Sequence, residues 1–150
     1  MKMEAEVSIK GPRAEVWKVI TDIDHAAERI SGTIELEVLE RPAEGLVGLK
    51  WRETREMFGK TATEEMWITE AVENGFYKTR AESHGSVYTA ILAVSDEADG
   101  TLLRMSFDAQ PQTMGAKVLS FLLGFMFKGA TRKAIQQDLE DIKAAVEASS

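Results

Sequence analysis

The 150-residue chain contains no cysteine, which excludes disulfides, thiolate metal ligands and a cysteine nucleophile. It has only two histidines, His25 and His84, and neither stands in a His-x-Glu or His-x-x-x-His arrangement suited to a metal. Glycine-rich phosphate loops are missing, and no nucleophile elbow marks a serine. No metal and no cofactor are expected. Positive charge is scarce: 18 Lys and Arg face 25 Asp and Glu, for a net charge of −7. A nucleic-acid partner would need a basic surface and is not expected. The first residues, Met-Lys-Met-Glu-Ala-Glu-Val, carry no apolar signal region, so the expected location is the cytosol. The one long apolar run, from Val118 to Phe127, is far too short to span a bilayer as a helix.

Proline is also scarce, at positions 12, 42 and 111. After Pro111 the chain is free to run as one helix, predicted over Gln112 to Val146. Ile135, Leu139, Ile142 and Val146 form a buried stripe, with Lys133, Gln136, Asp138, Glu140, Asp141 and Lys143 read as its wet face. Thr131, Phe127, Leu123, Leu119 and Ala116 continue the stripe backwards. Val118 to Phe127 is apolar almost all round, with Gly124 midway removing a side chain. Such a segment is either a broad core face or the wall of an apolar cavity.

Upstream, Met3, Ala5, Val7 and Ile9 alternate with polar residues as a half-buried strand. Pro12 suits the first residue of a helix through Ile20, buried on Val16, Trp17, Val19 and Ile20. Asp22 or Asp24 can cap a second short helix, Ala26 to Ile30. Strand patterns follow without interruption. Ile34, Leu36 and Val38 alternate inward, as do Val47, Leu49 and Trp51 in a strand over Leu46 to Glu56, where Gly48 can mark a bend. Further strands are predicted over Thr61–Thr69, Phe76–Glu82, Ser86–Val94 and Thr101–Asp108, with turns at Phe58-Gly59, Asn74-Gly75, His84-Gly85 and Asp99-Gly100. Their inward sets are Ala62, Glu64, Met66 and Ile68; Tyr77, Thr79 and Ala81; Tyr88, Ala90, Leu92 and Val94; and Leu103, Met105 and Phe107, with Trp67 outside. The order β-α-α-β-β-β-β-β-β-α describes an α+β chain in one domain, residues 1–150, whose curved sheet of seven antiparallel strands covers one long helix. One helix does not fill a strongly curved sheet, so room remains for large side chains, water or a ligand.

The strand over Leu46 to Glu56 puts two charges on that inner face. Glu53 and Arg55 continue the phase of Leu49 and Trp51, at a spacing of about 7 Å. Buried charges are costly unless paired, so they either reach solvent at the sheet's mouth, or hold a ligand's polar end or form an internal ion pair. They are the candidate catalytic groups. Glu53 would act as a general acid or base, and Arg55 would stabilise a developing enolate. The candidate ligand-binding set is Trp51, Glu53, Arg55, Met66, Tyr88, Met105, Phe107, Leu119, Leu122, Leu123 and Met126.

As a whole the chain resembles the START-like superfamily (SRPBCC, or helix-grip fold), closest to its polyketide cyclase/dehydrase-like branch. The resemblance covers Met3 to Val146. It rests on Pro12-Arg13-Ala14-Glu15-Val16-Trp17, on Gly48 to Arg55, on Glu82-Ser83-His84-Gly85-Ser86, on Gly100-Thr101, and on Lys128-Gly129-Ala130 followed by Asp138-Leu139. It implies a seven-stranded sheet gripping the C-terminal helix around an apolar cavity. It also implies a hydrophobic small-molecule ligand such as a lipid, an aromatic or a polyketide, and either a monomer or a homodimer. No catalytic residue of a characterised cyclase matches a position here. Three readings stay open: a binding module, a cyclase- or dehydrase-type enzyme, and a non-catalytic scaffold or interaction module.

Overall fold

The computed structural model describes residues 2–57, 59–83 and 85–149, and within them not the side chains of Met57, Ser120 and residues 122–127. The alternation of Met3, Ala5, Val7 and Ile9 builds β1 (Lys2–Ile9), with those side chains turned inward. Pro12 takes the cap position rather than the first turn of α1 (Arg13–Thr21), which buries Val16, Trp17 and Ile20. A 3-10 turn, Ile23–His25, leads into α2 (Ala26–Arg29). Neither Asp22 nor Asp24 caps α2; Asp22 instead accepts from the His25 ring and pairs with Arg29.

Six strands follow: β2 (Thr33–Glu40), β3 (Lys50–Met57), β4 (Lys60–Val72), β5 (Phe76–Ser83), β6 (Ser86–Glu97) and β7 (Gly100–Pro111). The long helix α3 (Met114–Ala148) closes the chain. The sheet runs β1-β7-β6-β5-β4-β3-β2 and every pairing is antiparallel. The first two strands are therefore its two edges, and the α1–α2 segment carries the chain between them. α3 packs against β1 and reaches the segment just before β2. On one side Gln136 and Lys143 donate to the backbone carbonyls of Glu6 and Ser8 in β1. On the other, Asp141 accepts from the Ser31 backbone N–H and hydroxyl, just before β2. Two carbonyls of the β1 edge that would otherwise invite pairing with another chain are thus occupied.

Register stacks the inner face in rows. Val94, Leu103 and Val7 form one row, sealed beneath α1 and the last turns of α3. Ala71, Tyr77, Leu92, Met105 and Ala5 form the next, then Ile68, Thr79, Ala90, Phe107 and Met3. Val38, Trp51, Met66, Ala81, Tyr88 and Ala109 form a fourth. Ile135, Leu139, Ile142 and Val146 are buried, as their spacing predicts.

Five expectations are corrected. Val47 is exposed and precedes β3 in a loop, because Gly45 and Gly48 adopt positive φ and turn the chain there. Gly48 is accordingly a turn residue and not a bend within a strand. Ile34 is exposed because a register shift after Thr33 turns Thr33 inward in its place. The long helix begins at Met114, not Gln112. β7 continues to Pro111, which pairs with Ser86, and Thr113 caps the helix by accepting from the Ala116 N–H. Asp138, read as part of the wet face, is buried.

Candidate functional site

The buried face of α3 carries one charge into the fold. Asp138 lies three residues after Ile135 and four before Ile142, so it shares their stripe. Its carboxylate receives both terminal nitrogens of Arg55, at 2.9 and 2.7 Å, a bidentate pair across 83 residues of sequence. The side chains are 13% and 23% exposed. Glu53, 12% exposed, stands 3.9 Å from Arg55 and accepts from the Thr33 hydroxyl at 3.1 Å. The i,i+2 spacing thus does put Glu53 and Arg55 on the inner face together, but the principal partner of Arg55 is Asp138. Gly32 makes the arrangement sterically feasible, since a Cβ there would lie 2.6 Å from the Arg55 guanidinium.

Burial opposes the charge of Arg55, yet the hydrogen bonds and charge of Asp138, with Glu53 and Asp141 beyond, raise its pKa further and keep it protonated. Burial pushes the Glu53 carboxyl above the ordinary carboxylate range. Arg55 and the Thr33 hydroxyl pull it back without restoring it, and Asp138 adds to the rise. Across the β3–β4 ladder Glu64 is the direct partner of Glu53. Arg55 is therefore a committed cation, and Glu53 is a buried carboxyl that keeps its proton to higher pH than a free glutamate. Tyr77, fully buried, donates to the Ile20 carbonyl, and burial, with the Glu53 charge, holds its hydroxyl protonated.

The raised Glu53 value has a stability consequence. The native state keeps this proton to higher pH than the unfolded chain, so the stability it contributes is lost as pH rises through the raised value. Glu53→Gln removes that loss. Urea unfolding as a function of pH should show the variant gaining on the parent from the ordinary glutamate range upward. A parent–variant difference that is flat across pH would refute burial as the dominant influence.

Next to this polar cluster the inner face is apolar. Trp51 is buried against Met66, its cross-strand partner. Tyr88 and Phe107 stack at 6.1 Å with an interplanar angle of 23°. Met66, Tyr88, Ala90, Met105 and Phe107 are half-buried, whereas Leu103 and Val94 below them are sealed. The register thus brings Trp51, Glu53, Arg55, Met66, Tyr88, Met105 and Phe107 to one concave face. Leu119 is exposed on α3. The Leu122, Leu123 and Met126 side chains and the Gly124 position fall outside the described residues, as does His84. Sequence reasoning missed Asp138, Asp141 and Thr33. The position of Asp138 on the Ile135–Ile142 stripe was the available signal. Among the described residues no cluster of His, Asp and Glu could hold a metal.

A seven-stranded antiparallel sheet closed by a C-terminal helix, with a partly open concave face, is the helix-grip fold. Residues 1–147 match the family model described as polyketide cyclase / dehydrase and lipid transport, and the chain belongs to that family. A search of curated proteins returns no match. Among solved structures, TTHA0849 from Thermus thermophilus superposes with a TM-score of 0.83 at 18% identity, covering 100% of this chain and 99% of that one. The di-domain ARO/CYC StfQ from the steffimycin biosynthetic pathway gives 0.81 at 13% identity, over 99% of this chain and 51% of that one. The Zhui aromatase/cyclase from Streptomyces sp. R1128 gives 0.74 at 15% identity, over 98% and 93%. At such identities the likeness concerns the fold.

Proposed function

We propose that the chain binds a small apolar or amphipathic molecule between the concave sheet face and the first half of α3. One observation carries this reading: Met66, Tyr88, Ala90 and Phe107 lie on the inner face yet stay half-exposed, whereas Val94, Leu103 and Val7 on the same face are sealed. Apolar side chains on an inward face favour a guest that covers them. Burying about 250 Å² of ligand apolar surface would contribute roughly 6 kcal/mol before immobilisation costs, so micromolar affinity, at about 8 kcal/mol, also needs the polar contacts or a larger apolar ligand. Trp51, Met66, Tyr88, Met105 and Phe107 supply the apolar contacts. Glu53 meets a hydroxyl or amine at the ligand's polar end, and Arg55, held by Asp138, fixes the floor beside it. The family description and the aromatase/cyclase likenesses support a ligand of this kind.

The test is a titration with fatty acids, flavonoids and sterols followed by tryptophan fluorescence. Saturable binding is expected, with the response reduced in Trp51→Phe. Ala90→Phe, which fills the concave face, should weaken binding at least about tenfold without lowering the unfolding midpoint. Absence of saturation with every class would end the proposal.

A second reading, cyclase- or dehydrase-type chemistry, is favoured by one specific feature, the elevated Glu53 carboxyl beside the Arg55 guanidinium. In that case Glu53→Gln would abolish turnover of a polyketide-like substrate while leaving its binding intact. Loss of binding and turnover together would return Glu53 to the role of a ligand contact.

A further inference from the structure

The first half of α3 is built unlike the rest of the molecule. From Ala109 to Gln137 the sequence holds four basic residues and no Asp or Glu, so the net charge of −7 divides into +4 here and −11 elsewhere. Within this segment Met114, Val118 and Phe121 recur at spacings of four and three, and the structure leaves them 75%, 57% and 80% exposed. Lys128 and Arg132 continue the same stripe at seven and eleven residues beyond Phe121, with Lys117 and Lys133 beside it, and all four are exposed. The stripe faces outward. Ala116, buried on the other side, approaches Gly85 at the β5–β6 hairpin, where a Cβ on Gly85 would lie 3.3 Å from the Ala116 methyl.

We propose that this outer face of α3 docks on an anionic lipid surface. Apolar side chains in one stripe with basic residues beside and beyond them match the boundary between acyl chains and acidic headgroups. The charge asymmetry also sets orientation. The strongly acidic remainder of the chain is repelled by the same surface, which favours approach through this face. A second copy of the chain is the weaker fit, because a two-fold contact through this face would set four cations against four. Docking here is peripheral: no helix among the described residues is long and apolar enough to cross a membrane. It is also independent of whether a ligand occupies the concave face.

The lack of cysteine permits a clean test on the full chain. Val118→Cys, labelled with an environment-sensitive dye, is mixed with vesicles of phosphatidylcholine alone or of phosphatidylcholine with phosphatidylserine, and binding is also read by co-sedimentation. The expected result is a blue-shifted, brighter probe and co-sedimentation with the mixed vesicles only, reversed by added salt. Unlabelled Phe121→Asp, and separately Lys128→Ala with Arg132→Ala, should each lower vesicle partitioning about tenfold or more with the thermal midpoint unchanged. Equal binding to neutral vesicles, or no binding to either, would overturn the proposal. So would a dimer in light scattering that Phe121→Asp dissociates without any vesicle binding by the parent.

Discussion

Asp138→Ala is expected to destabilise the fold by about 3 kcal/mol, because it leaves the Arg55 guanidinium buried with no partner at bonding distance. The loss should fall at the lower end of the range for broken buried pairs, since Glu53 stands 3.9 Å away and can take over part of the charge. Asp138→Asn, which keeps the shape and one acceptor, should cost less. Replacing both partners, Asp138→Leu with Arg55→Met, should recover most of the loss, because desolvation of the two ions is avoided. Urea denaturation of these variants checks this, provided the slope m is unchanged. A loss below about 0.5 kcal/mol for Asp138→Ala would mean the pair is solvated and would remove it as the floor of the site.

The second large effect lies on the same helix, one residue on. Leu139 is 0% exposed and sits between Ile135 and Ile142, against a core that includes Val7, Ile9 and Leu103. Leu139→Ala removes three carbons from a sealed position and should cost about 3–5 kcal/mol, the transfer loss plus an unfilled cavity. Leu119→Ala, on the exposed half of α3, should change stability by less than about 0.5 kcal/mol. Comparable losses at both positions would contradict the division between the packed stripe from Ile135 to Val146 and the exposed Leu119.

The same division explains what the sequence could and could not tell. Inner phases were legible wherever apolar and polar residues alternate without interruption, as in β1 and at Tyr77, Thr79 and Ala81 of β5. Val47 and Ile34 broke the pattern because alternation is blind to a glycine turn and to a one-residue register shift. Pro111 was misread because a proline that can precede a helix can equally end a strand. The Glu53–Arg55 relation was legible because i,i+2 neighbours share a face on any strand. The Arg55–Asp138 bond was not, since nothing local announces a contact across 83 residues, and a carboxylate among polar helix neighbours reads as solvated.

The placement of β1 also sets an order of events in folding. Its pairing runs from Lys2 with Asp108 to Ile9 with Thr101, so the first strand to be synthesised must wait for the seventh. Strands β2 to β7 are joined in sequence and can zip up one by one as they appear. Val7 and Ile9 meanwhile have no partner, and the Glu6 and Ser8 carbonyls that Gln136 and Lys143 later bind stay free until α3 has been made. Capture of this tethered strand is a long-range closure governed by chain entropy more than by local propensity. During that interval the unpaired edge of β7 is the surface at risk of mispairing between neighbouring nascent chains.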